Sequence, residues 1–142
     1  MSSFTTKLRL EYLDGREWRV LEDFLYEVGT EGSGIVVTVG AGFETDFASI
    51  PRGLWNLFPP TGPYGKAAVV HDCLYRTQTL MSAQISRKRA DDIFLEAMGV
   101  LHVGRFTKYT VYWAVRAGGG RIWRTHADAL TASLPEDGDD AA

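Results

Sequence analysis

The residues best suited to chemistry sit in two short stretches, Val69–Arg76, "VVHDCLYR", and Arg89–Met98, "RADDIFLEAM". In the first, a histidine and an aspartate stand side by side directly behind two valines. A polar pair inside an apolar stripe is costly unless each group finds a partner. On a helix His71 and Asp72 project about 100° apart, so they cannot both face one partner. Tyr75 lies one turn beyond His71 and three residues beyond Asp72, on their side of the helix. If the second stretch is a helix packed antiparallel to the first, Asp91 falls opposite His71. A carboxylate there accepts the imidazole N–H, fixes the tautomer and leaves the other ring nitrogen to act as a base. Asp72, turned toward the mouth of such a site, is available to hold a metal. The alternative is a purely structural network, in which Arg116 pairs with Asp72 or Asp92 and the polar cluster ties helices together.

A loop block, "GFETDFASIPR", supplies two further candidates. Asp46 can serve as a metal or substrate ligand; equally, it can satisfy backbone groups around a turn. Ser49 lacks a GxSxG elbow and reads as a helix cap rather than a nucleophile. No histidine precedes His71, which excludes the metal set of an HD-type phosphohydrolase. His102 and His126 lie outside any HExxH pattern and read as surface or helix-end residues. Cys73, the only cysteine, cannot form an intrachain disulfide and reads as a buried, inert thiol.

Positioning these groups requires an α+β chain. Its 142 residues, 45% apolar, fit one globular domain over 1–133, with the acidic "LPEDGDDAA" at 134–142 as a disordered tail. Residues 1–40 alternate with a two-residue period: Leu8, Leu10 and Tyr12, then an Asp14-Gly15 turn, then Trp18 and Val20, then Phe24, Tyr26 and Val28, then Ile35–Val39. That predicts a small antiparallel sheet of three or four strands. Residues 41–63 form a long loop with a short helix begun near Ser49 and Pro51 and ended by Pro59-Pro60. Within it Trp55 and Phe58 either pack over the sheet or offer an apolar anchor for a partner or a membrane surface. From 64 to 133 the spacing predicts about three packed helices, at Tyr64–Arg76, Ser86–Met98 and Phe106–Ala117. Gly99 ends the second and Gly118–Gly120 the third. The inner face of the third helix carries Phe106, Tyr109, Tyr112, Trp113 and Arg116. Arg87-Lys88-Arg89 reads as a solvated helix start.

Two resemblances follow from these motifs. "HDCLYR" with "RKRADDIFLEAM" resembles the active-site helix pair of phospholipase A2, especially its shorter prokaryotic and fungal type. The resemblance implies a catalytic set of His71 as base, Asp91 as orienting acid and Tyr75 as support, with calcium on Asp72. The disulfides that staple that helix pair have no counterpart here, and Gly62 and Gly65 stand roughly where its calcium loop would be. The ordered blocks "GFETDFASIPR", "KAAVVHDCLY", "RADDIFLEAM" and "YWAVRAGG" resemble a family of small uncharacterised proteins of tailed bacteriophages and prophages. That implies a place in a tail or baseplate region and other phage structural proteins as partners.

The functional expectation is a phage protein whose His-Asp site hydrolyses lipid or other esters with metal assistance. The alternative is a non-catalytic phage structural protein. A net charge of -3 argues against a broad nucleic-acid grip. There is no run long enough to cross a bilayer and no secretion-signal pattern, so the expected setting is synthesis in the host cytoplasm, with incorporation into the virion.

Overall fold

The computed structural model describes residues 3–4, 6–15, 17–47, 52–54 and 65–133. The chain is α+β, with short antiparallel strands followed by helices. The strands are β1 (Ser3–Phe4), β2 (Leu10–Tyr12), β3 (Trp18–Val20), β4 (Phe24–Glu27), β5 (Val36–Val39) and β6 (Glu44–Thr45). They form two three-stranded sheets, ordered β1-β4-β5 and β2-β3-β6, in place of a single sheet. The Asp14-Gly15 turn is as expected: Gly15 has φ +60° and the flanking strands pair Leu10 with Val20. Alternation holds best in β4, where Phe24, Tyr26 and the following Val28 are buried. Tyr12 breaks the pattern and is exposed. Pairing of Trp18 with Thr45 places β6, and with it the Thr45 hydroxyl, beneath the helices.

α1 (Gly65–Thr77) is buried continuously from Ala67 to Tyr75, so it is the central helix of the fold. A two-residue hairpin, β7 (Thr79–Leu80) and β8 (Ala83–Gln84), links it to α2 (Arg87–Val100). Sequence periodicity misses this hairpin because each strand is too short to show alternation. Ser86 caps α2, its Oγ accepting from the Arg89 N–H at 3.1 Å. Ala90, Asp91, Phe94 and Met98 all face inward, as their spacing predicts. Gly99 does not end α2, which runs one residue further before Leu101 and His102 turn the chain.

α3 (Arg105–Gly118) departs most from expectation. Its core face is Val111, Tyr112 and Val115, whereas Phe106, Tyr109 and Trp113 point outward. Nor do the three glycines end helical structure. The chain bends at Gly119 and resumes as a fourth helix, α4 (Gly120–Ser133), whose Ile122 and Trp123 pack on the core. The Gln78 side chain donates to the Trp123 carbonyl at 2.8 Å and anchors α4 to the end of α1. Ser49, Pro51, Trp55, Phe58, Pro59-Pro60, Gly62 and the tail at 134–142 lie outside the described residues.

The bend requires glycine for space. A Cβ on Gly119 would sit 2.5 Å from the Val115 carbonyl oxygen and 2.6 Å from the Tyr75 hydroxyl. Gly119→Ala should therefore destabilise the chain by about 1–3 kcal/mol, the usual penalty for overpacking. A thermal melt checks this against Gly118→Ala, where a Cβ meets nothing within 4 Å. The control should change little.

Candidate functional site

His71 and Asp72 leave α1 toward two different clusters. On one side, His71 Nε2 lies 2.8 Å from Asp91 Oδ1, and the Tyr75 hydroxyl donates to that same oxygen at 2.6 Å. Arg116 of α3 donates from Nη1 to Asp91 Oδ2 at 2.8 Å. Arg87, one turn before Asp91 on α2, stands 3.5 Å from the same atom. One carboxylate thus gathers cations and donors from α1, α2 and α3. Arg87 also donates to the carbonyls of Val115 and Arg116 at the end of α3, at 3.2 and 3.1 Å, the first of which also accepts from the Gly119 N–H.

His71 and Asp91 are both fully buried. Burial pushes the Asp91 carboxyl up, but the hydrogen bonds from His71, Tyr75 and Arg116 outweigh it and hold the group below the usual range. An ionised carboxylate only accepts, so Nε2 carries a proton whatever the charge of the ring; in the neutral ring Nδ1 is then the basic nitrogen. Burial and the anionic neighbour push the Tyr75 hydroxyl up, so it remains a donor. The His71 ring is fixed between Tyr75 and Phe94, each with its ring centroid 4.3 Å away.

On the other side, Asp72 turns toward the sheet. Thr45 Oγ1 donates to Asp72 Oδ2 at 2.6 Å and accepts from the Phe47 N–H at 3.0 Å. Arg76, one turn along α1, places Nε 3.6 Å from Asp72 Oδ2 and Nη2 3.9 Å from Asp46 Oδ1. Its guanidinium lies over the Phe43 ring. Asp72 is only 1% exposed, yet its Oδ1 has no hydrogen-bond partner, and neither does Arg76 Nε. Burial drives the Asp72 carboxyl up, and Thr45 and Arg76 offset that only in part. Phe47, buried behind this turn, holds φ at 57°, a conformation that bulky side chains rarely adopt. His126 of α4 is half-buried within the field of this cluster; burial, then Arg76, lower its pKa.

The structure therefore brings His71, Asp91 and Tyr75 together, and separately relates Asp72 to Asp46 through Arg76. Asp72 is sealed rather than turned to an open mouth, because β6 covers it. Arg116 bonds to Asp91, not to Asp72 or Asp92. Trp55 and Phe58 fall outside the described residues. Cys73 is buried, and burial pushes its thiol up to about 12, which leaves it inert near neutral pH. Arg87 is not solvated as part of a helix start. Sequence reading also missed Arg76, Thr45 and His126. The four-residue spacings Asp72–Arg76 and Arg87–Asp91 were available as signals; Thr45 and His126 had none.

Among the described residues, no group of three His, Cys, Asp or Glu side chains is placed to hold a metal. Calcium takes about six to eight oxygen ligands, and here the charge between Asp46 and Asp72 is the Arg76 guanidinium. That set does not fit a calcium centre.

Fold and site together define a small α+β domain with a buried histidine–carboxylate hub at a helix junction. Residues 18–115 match the family described as protein of unknown function DUF1353, and the chain belongs to that family. The match runs from β3 through most of α3 and includes His71, Asp72, Tyr75 and Asp91. No curated protein and no solved structure matches the chain.

The two aspartates should respond oppositely to neutralisation. Asp91→Asn leaves the buried His71 and Tyr75 and the partly buried Arg87 and Arg116 short of a partner and should cost about 3–5 kcal/mol. The Asp91 carboxyl is depressed in the fold, so its contribution is present at neutral pH and is lost as pH falls through the folded value. For Asp72 the carboxyl is raised, so ionisation opposes folding and acid relieves the strain. Asp72→Asn should melt at or above wild type at pH 7, with the difference shrinking toward pH 4. Thermal melts from pH 7 to 4 check the sign for Asp72, and melts continued below pH 4 check the loss at Asp91.

Proposed function

We propose that the chain is a phage- or prophage-encoded hydrolase of esters, lipid esters among them, in which His71 activates water and Asp91 and Tyr75 position it. Support for the phage setting comes from the four ordered sequence blocks, and support for the chemistry from the geometry of the hub. Asp91 holds the proton on Nε2, so Nδ1 is the nitrogen that takes a proton from water during attack on an acyl carbon. Tyr75 and Arg116 keep Asp91 ionised and stationary, which stabilises the positive ring formed in that step.

The observation that carries this reading is the orphaned Oδ1 of Asp72, next in sequence to the base. A buried acceptor without a partner costs about 1–3 kcal/mol, and native proteins keep few of them. A helix tie has no use for it, whereas a site keeps such an oxygen, here covered by β6, to receive a donor from a group as small as water. The positive φ of Phe47 adds to this, since backbone strain collects around functional sites.

A second reading is favoured by a different observation. His71 and Asp91 are completely buried, and three helices converge on one carboxylate. On that basis the chain is a non-catalytic phage component, its hub a lock on helix register.

Turnover of a p-nitrophenyl acyl ester and of phospholipid vesicles separates the two. The hydrolase reading expects turnover by wild type, a loss of about 10²-fold or more in His71→Asn, and a smaller loss in Tyr75→Phe with KM unchanged. Absence of turnover in folded wild type, with a lowered melting temperature in His71→Asn, would leave the helix lock as the function of the hub.

A further inference from the structure

We infer that the outward face of α3 docks the protein on an anionic phospholipid surface. Phe106, Tyr109 and Trp113 recur at spacings of three and four, which puts them on one helix face. They are 78%, 44% and 64% exposed. The opposite face, Val111, Tyr112 and Val115, is buried against the core. A helix that is apolar on both faces needs a covering on its outer side.

The charge carried by α3 and the adjoining α4 says what kind. From Gly104 to Ala127 the chain has no acidic residue and five basic ones, Arg105, Lys108, Arg116, Arg121 and Arg124, within a protein of net charge -3. Arg116 is used by Asp91, whereas Arg105, Arg121 and Arg124 are exposed. Lys108 Nζ lies 5.3 Å from the centre of the Tyr109 ring, so a cation already borders the aromatic stripe. On the neighbouring helix, Asp92 is occupied by Lys88 at 2.7 Å and the Tyr112 hydroxyl at 2.6 Å.

A second copy is a poor occupant, because apposed α3 faces would bring like charges together. Phospholipid suits both features: aromatic rings enter the headgroup boundary while arginine and lysine meet anionic lipid. The inference is independent of the hydrolase reading, since it concerns adsorption and requires no turnover.

Co-sedimentation with vesicles of phosphatidylcholine, alone or mixed with phosphatidylglycerol, tests it on the full chain. Expected is binding to the mixed vesicles at least about tenfold tighter than to phosphatidylcholine alone, weakened by salt. Phe106→Ser and Trp113→Ser should each reduce binding severalfold with melting temperatures unchanged, because both side chains are exposed. No sedimentation with mixed vesicles, or binding insensitive to both variants, would overturn the inference. So would a vesicle-independent dimer or a single-stranded oligonucleotide complex that Trp113→Ser abolishes.

Discussion

A carboxylate cut off from water must be satisfied by the protein around it, and Asp91 is satisfied from three helices at once. Remove that charge and His71, Tyr75, Arg87 and Arg116 lose their common partner. Much of the helical layer follows from it. Arg87 reaches both Asp91 and the terminal carbonyls of α3, so the hub also closes that helix. Tyr75, bonded to Asp91, occupies space that a side chain at position 119 would need, so the bend between α3 and α4 is made by a glycine.

α1 carries two unlike tasks on adjacent residues. His71 enters a network in which Asp91 has a partner for each oxygen, and Asp72 a neighbouring cluster in which one oxygen has none. Burial alone does not distinguish them, since both aspartates are nearly inaccessible. Partner count does: the Asp91 carboxyl lies below its ordinary range and the Asp72 carboxyl above it. The first pattern belongs to a support and the second to a group kept despite its cost to folding. The Thr45 hydroxyl, fixed by the Phe47 N–H, holds that costly group in place.

The hub was legible because its spacing is local. His71, Tyr75 and Asp91 lie on two consecutive helices whose apolar stripes are unmistakable, and antiparallel packing across a short connection leaves Asp91 little choice of neighbour. Arg116 was recognised as a partner, but its choice of Asp91 over Asp92 depends on the rotation of α3, which periodicity did not give. That helix is apolar on two faces, so its periodicity favours the largest aromatics for the core over the smaller Val111 and Val115 that fill it. The fourth helix is hidden by three glycines that read as a stop, whereas Gly119 makes a bend that leaves room for Tyr75, forty-four residues away in sequence. Division of the strands into two sheets was invisible for a similar reason: β6 pairs with β3, and β1 with β4, across long separations.

Nitrogen-15 NMR of the His71 ring tests the central claim most directly, because the hub dictates which nitrogen bears the proton. The chain should show Nε2 protonated throughout a pH titration, its proton protected from exchange in wild type and exposed in Asp91→Asn. A ring protonated at Nδ1, with a bare Nε2 toward residue 91, would mean that Asp91 does not orient it.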